Sequence, residues 1–294
     1  MDIGAETEAT FENPLIPNAR LRQIYAAMLR ARLLGEALSG RRRRGRDEAL
    51  GLEAALVATS VDLASGDVVS DAMTGGVVEF IRGATLERVL RPETAARKRG
   101  LKADCSAAMR LPAGLGIQER IWAALGAAAV LKAERAQDKA DGKELDARHA
   151  GVAVVYTRLG EVTPGLWARV LTFASVEELP VMFVVLPAAG NAKHGQAGAA
   201  ARMAMRHGVP GIPVDADDAI AIYRVAQEAI GRGRIGGGAA LMECVPFVLP
   251  AANGKRNAET DSIAVLGRYM LGRGVATKNW IERERKNFAK HVAG

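Results

Sequence analysis

Histidines, cysteines and glycine-rich turns are the first places to look for chemistry in this chain. The four histidines, His149, His194, His207 and His291, lie far apart and show no metal-ligand spacing. Cys105 and Cys244 form no CxxC pair. That usage suits a reduced, intracellular protein, so a cytoplasmic location is expected. Gly231, Gly233 and Gly236 spell GxGxxG. A dinucleotide fingerprint must follow a strand and open a helix. This one closes a helical pattern and precedes a strand, so it is a helix end and a turn. Gly254-Lys255 lacks the upstream glycine and the following Ser or Thr of a phosphate loop, and no serine occupies a nucleophile elbow. His194 retains a functional case, because it sits in a glycine- and alanine-rich loop, residues 188–198. The plainer account is a solvated loop histidine.

The elements that would position such a loop lie between Gly151 and Pro187. Val152–Tyr156 and Val181–Leu186 are short apolar runs bounded by glycine or proline, as buried strands are. Between them Leu166, Trp167, Val170, Leu171 and Ala174 recur at helical spacing from Pro164 to Val176. Thr163 is placed to cap that helix, and Pro164 at its first position sacrifices no hydrogen bond. Strand, helix, strand predicts a right-handed crossover between parallel strands. Ligands of open parallel sheets bind outside the carboxyl ends of the strands. Here those ends are Thr157–Glu161 and Pro187–Gly190.

Composition narrows the class. At 294 residues, 49% hydrophobic and 25% charged, the chain can bury one large or two ordinary cores. The net charge of +7 owes much to Arg41, Arg42, Arg43, Arg44 and Arg46. No aromatic residue interleaves with them and Asp47-Glu48 follow, so a solvated basic loop is favoured over a nucleic-acid patch. Residues 1–17 form a polar arm unlike a signal peptide, and no apolar run reaches membrane-spanning length. Residues 18–294 are expected to form one domain. Asn18 is expected to cap a first helix, and a second, from Glu48 to about Leu63, is apolar almost all round. Residues 117–139 form a long alanine-rich helix whose Gly126 and alanine face should press on the sheet. Further helices are expected to His207, after a capping Asp217, from Asp261 to Leu271 and from Thr277 to about Val292. Strands are expected near Val68-Val69, Ile212–Val214 and Ala239–Val245. Alternating strands and helices predict a three-layer αβα architecture around a mainly parallel sheet.

Taken in order, these segments resemble the α subunit of the E1 component of the 2-oxo acid dehydrogenases, over about residues 18–292. Gly51-Leu52-Glu53-Ala54-Ala55 resembles that family's Gly-Gln-Glu-Ala, and Gly66-Asp67-Val68-Val69 the strand that follows. Phe80-Ile81-Arg82-Gly83, Leu125-Gly126-Ala127-Ala128, Leu179-Pro180-Val181-Met182-Phe183, Val214-Asp215-Ala216-Asp217-Asp218 and Leu241-Met242-Glu243 continue the match in register. The resemblance implies a thiamine-diphosphate-binding fold, a magnesium-held thiamine diphosphate, oxidative decarboxylation, and assembly with a β-type subunit or a second copy.

The cofactor signature departs from the pattern. The family's Gly-Asp-Gly falls on Arg158-Leu159-Gly160 and its Asn-Asn on Pro187-Ala188. Its diphosphate-gripping Tyr-Arg falls on Met73-Thr74, a nearby histidine on Gly76, and the His-Gly-His loop near Pro250-Ala251-Ala252. Magnesium demands oxygen ligands, which Leu159 and Ala188 lack. Glu161 could offer one oxygen and Arg158 one charge. Three functions therefore stand: a non-catalytic subunit that has lost its metal and cofactor ligands, a working α subunit with altered ligands, and a module for another anion using Arg158, Lys193 and the 188–198 loop. The vestigial cleft comprises Arg158, Leu159, Gly160, Glu161, Ala188 and His194. The apolar faces of residues 48–63 and 117–139 are the expected partner surfaces, unless they cover only the chain's own sheet.

Overall fold

A computed structural model describes residues 15–41, 50–71, 76–84, 89, 111, 115–142, 150–188, 197–246 and 261–293. Five strands, β1 (Val68–Ser70), β2 (Ala153–Arg158), β3 (Val181–Leu186), β4 (Gly211–Asp215) and β5 (Ala240–Val245), form one sheet in the order β1-β2-β3-β5-β4. Every neighbouring pair is parallel. Both faces are covered, which is why β2, β3 and β5 read as unbroken apolar runs rather than alternating ones.

The pleat divides the core in two. Val154, Tyr156, Met182, Val184 and Met242 face one layer. That layer is built from α1 (Asn18–Arg41), α2 (Glu53–Ser60), α3 (Val77–Ile81), α7 (Ala219–Arg234), α8 (Ser262–Gly272) and α9 (Lys278–Ala293). Ala153, Val155, Val181, Phe183 and Leu241 face α4 (Ile117–Ala140), α5 (Pro164–Val176) and α6 (Ala199–Arg206). This three-layer αβα arrangement around a parallel sheet is the architecture that the sequence predicts.

The central crossover matches the sequence reading. Thr163 Oγ1 accepts from the Leu166 amide at 3.3 Å, with Pro164 in the first turn. Other boundaries move. Helix α2 is shorter than 48–63, and all of Glu53–Ser60 is buried within this chain. That helix therefore leaves no apolar face for a partner. Gly126 is exposed, with open space where a Cβ would stand; Ile121, Ala124, Leu125 and Ala128 cover the sheet instead. The cap of α7 is Asp218, not Asp217: its carboxylate accepts from Ile220 and Ala221 amides at 2.9 and 3.0 Å. Asn18 is the first residue of α1 rather than its cap, and the Pro17 carbonyl accepts from Arg20 and Leu21. Ile16, at the end of the expected arm, is buried in the core. The GxGxxG glycines close α7 and turn toward β5, as the sequence predicts. The arginine run from Arg42 to Arg46 lies outside the described residues.

The amino edge of the sheet is tied by buried charge. Asp67 takes Arg234 through both oxygens, at 3.0 and 2.7 Å, and also accepts from Ala64 and Val152 amides. On the α1–α2 side, Arg32 pairs with Glu53 and with Asp261, the cap of α8. Burial alone would pull the Arg32 guanidinium down, but those two carboxylates outweigh it and hold it above its ordinary value.

Candidate functional site at the carboxyl edge

The chain runs β1 to β4 with α4, α5 and α6 on one face, then doubles back through α7 on the other. Strand β3 leaves toward α6 and β5 toward α8, so the topological switch point lies between β3 and β5. The loops that leave it, residues 189–196 and 247–260, are outside the described residues. His194, Lys193 and Pro250-Ala251-Ala252 fall within them, and Met73-Thr74 falls within a third such segment.

The described part of the edge is well defined. Beyond β2 the chain turns at Leu159-Gly160, with Gly160 at φ +83°, a left-handed conformation that glycine adopts without strain. Glu161 closes the turn: its Oε2 accepts from the Arg158 amide at 3.0 Å, and its own amide donates to the Arg158 carbonyl at 3.1 Å. Arg158 Nη1 donates to the Pro187 carbonyl at 3.3 Å, linking the ends of β2 and β3. Leu159 donates its amide to Leu186 and turns its side chain against the apolar layer under α4 and α5. Ala188 is half-buried and brings only a methyl group. At Gly76, where the resemblance places a histidine, φ is +93° and an added Cβ would stand 2.9 Å from Val89 Cγ1. No larger residue fits that backbone and that gap.

Two polar groups here escape the sequence reading. Thr157 is fully buried, and its hydroxyl has no hydrogen-bond partner among the described residues. Arg120, in the first turn of α4, is only 3% exposed and reaches the Tyr156 carbonyl at 3.3 Å. Burial lowers its pKa from the ordinary value, against the opposing pull of Glu161 and Asp71. One signal was available: Arg120 stands on the 120-124-128 stripe that faces the sheet, a place where an unpaired charge is costly.

A family model described as dehydrogenase E1 component matches residues 47–248. The chain belongs to that family. A subunit alpha of the acetoin:2,6-dichlorophenolindophenol oxidoreductase of Bacillus subtilis is 35% identical over 105 residues, 33% of this chain and 30% of that relative. A pyruvate dehydrogenase E1 component subunit alpha of Staphylococcus aureus is 32% identical over 101 residues, 33% of this chain and 27% of that one. A chloroplastic subunit alpha-3 of the same component from Arabidopsis thaliana is 28% identical over 164 residues, 48% of this chain and 36% of its own. The matches thus span roughly a third of each relative's length. A transketolase variant from Pichia stipitis superposes with a TM-score of 0.52 at 14% identity, covering 93% of this chain and 44% of that one. At that identity the likeness shows the fold alone.

The E1 membership raises the question of whether these residues suit magnesium and thiamine diphosphate. Magnesium needs several hard oxygen donors near octahedral positions. Leu159, on which the resemblance places the family's aspartate, packs its side chain against the apolar layer. Glu161 spends a carboxylate oxygen on its own turn, and Arg158 spends a guanidinium nitrogen on a carbonyl. Among the described residues no three His, Cys, Asp or Glu converge. The described residues of this edge do not supply the oxygen donors that magnesium needs.

Proposed function

We propose that this E1-α-like protein is a non-catalytic subunit whose metal and cofactor site has decayed. The observation that carries the reading is the turn at Arg158–Glu161. Where a metal-binding turn would present oxygens outward, this one is closed by its own side chains, and its central residue is a leucine packed inward. Thiamine diphosphate brings its own electron sink, and the protein's part is to bind and orient it. A chain that cannot hold the group has no route to that decarboxylation by itself. The relatives named as subunit alpha support a hetero-oligomer with an E1-β-like partner, with self-association as the alternative. A single domain over 18–294 and a cytoplasmic location belong to the same reading, the latter resting on cysteine usage.

Calorimetric titration with thiamine diphosphate, with and without magnesium, tests it. The expected result is no heat and no melting shift at millimolar ligand, both alone and with a β-type partner. Magnesium-dependent micromolar binding would overturn the reading in favour of a working α subunit with altered ligands. Stabilisation by nucleotides or inorganic diphosphate without magnesium would instead favour the anion-binding module.

A further inference from the structure

The helices that cover one face of the sheet turn more than polar residues outward. On α4 the exposed residues include Trp122, Gly126, Ala129 and Val130, and on α5 Phe173 and Val176. They are joined: the Trp122 and Phe173 rings meet at 5.8 Å across the gap between the helices, and Val130 and Val176 are 57% and 73% exposed. Single exposed apolar residues need no account, whereas a continuous patch of aromatic and aliphatic side chains over two helices marks an interaction surface. Gly126 points the same way. A glycine in mid-helix costs stability relative to alanine, and the chain's own packing does not ask for one there, since an added Cβ would meet no described atom within 4 Å.

The patch is complementary to itself. In a two-fold pair with antiparallel helices and Gly126 on the axis, residues equally far from 126 on either side meet. Trp122 of one copy then faces Val130 of the other, with the bare backbone of Gly126 at the crossing. The charges of α5 obey the same symmetry. Arg169 and Glu177 are exposed, opposite in sign, and equally spaced on either side of Phe173. The same axis sets Arg169 of one copy against Glu177 of the other, twice per dimer. The two centres share a level to within about one helical turn, because α5 lies alongside α4 there: Trp122 touches Phe173, and the Lys132 ammonium donates to the Glu177 carbonyl at 2.7 Å. With α5 beside a helix about 36 Å long, the face offers on the order of 700 Å², close to the ~800 Å² that each partner of a standard interface buries.

We propose that the α4–α5 face is the surface through which two copies of this chain associate, as an antiparallel two-fold dimer centred on Gly126 and Phe173. The proposal concerns this face alone, leaves the rest of the surface to a β-type subunit, and does not depend on the decayed cofactor site.

Sedimentation velocity of the full chain across about 1–100 µM reads the association directly. Wild type should dimerise with a micromolar or tighter dissociation constant. Gly126→Arg, whose added side chain enters open space in the single copy, should keep the wild-type circular dichroism and sediment as a monomer throughout. Arg169→Glu and Glu177→Arg each set like charges against one another and should weaken the dimer roughly tenfold at low salt and less at high salt. The double swap, Arg169→Glu with Glu177→Arg, should restore it, a recovery that a merely structural role for either residue would not give. A wild type that is monomeric at about 100 µM overturns the proposal, as does a dimer that Gly126→Arg leaves intact. Should Gly126→Arg fail to fold, the charge swap decides: single reversals without effect, or a double swap without recovery, overturn it. A monomeric wild type whose binding to a β-type subunit is abolished by Gly126→Arg assigns the face to that subunit and overturns it as well. None of these results touches the titration with thiamine diphosphate, which fails or succeeds on its own.

Discussion

Thr157 is the last fully buried residue of β2 before the turn, and its hydroxyl, without a hydrogen-bond partner among the described residues, makes the local cost of that turn measurable. A buried hydroxyl that has given up water without a partner destabilises the fold. Thr157→Val should therefore stabilise the protein by roughly 1 kcal/mol in urea denaturation; a loss of that size would mean that the hydroxyl is bonded after all. Cys244 is the opposite kind of residue, an apolar filler. It is 2% exposed, and burial pushes its thiol up to about 12. A protonated, inaccessible thiol is a poor nucleophile. Native protein treated with a maleimide should leave the Cys244 peptide unmodified on mass mapping until urea unfolds the chain. Rapid labelling under native conditions would contradict its placement in the core.

At the scale of elements, α6 depends on a residue from another strand. Glu243 of β5 is 1% exposed, and its two oxygens accept from the Gly198 and Ala201 amides at 3.0 and 2.8 Å. A buried carboxylate thus caps the orphan donors at the start of α6 and meets the positive end of its dipole. The same glutamate belongs to the Leu-x-Glu strand of the family resemblance, so the likeness there has a structural cause. Glu243→Ala should cost about 1–3 kcal/mol. Hydrogen exchange should show faster amide exchange across Ala199–Arg206 than in α5, which has its own cap in Thr163. Uniform behaviour of the two helices would refute the capping role. Close approach supports the same region: an added Cβ at Gly211 would stand 2.0 Å from the Ala201 carbonyl oxygen, so β4 and α6 meet where only glycine fits.

For the molecule as a whole, the buried acids with raised values set a stability limit on the alkaline side. Burial raises the Cys244 thiol and the Tyr156 and Tyr223 hydroxyls above their ordinary values; Asp62 adds to it at Tyr223, whereas the Thr59 bond opposes it at Tyr156. The unfolded chain releases these protons near the ordinary values of 9.0 and 10.0, while the folded chain holds them. Stability from these groups is thus complete below about pH 9 and falls as pH rises beyond it. The urea midpoint should drop steadily from about pH 9 to 11. A flat profile would show that these groups ionise as easily folded as unfolded.

Apolar periodicity alone places the central strand–helix–strand unit, because strands buried on both faces must be continuously apolar and the helix between them must carry one apolar stripe. That Leu159 and Ala188, where the resemblance places the cofactor motif, lack side-chain oxygens is equally plain, since it is visible in a residue's name. Tertiary structure decided what replaces it. No local pattern says that Glu161 folds back onto the Arg158 amide, that Arg158 reaches across to the Pro187 carbonyl, or that Gly126 faces outward while Arg120 faces the sheet. Those outcomes depend on which strands become neighbours and which helix covers them. Charges remote in sequence, such as Asp67 and Arg234, find each other only when the sheet has closed. Residue types set which interactions are possible, whereas the order β1-β2-β3-β5-β4 sets which of them are made.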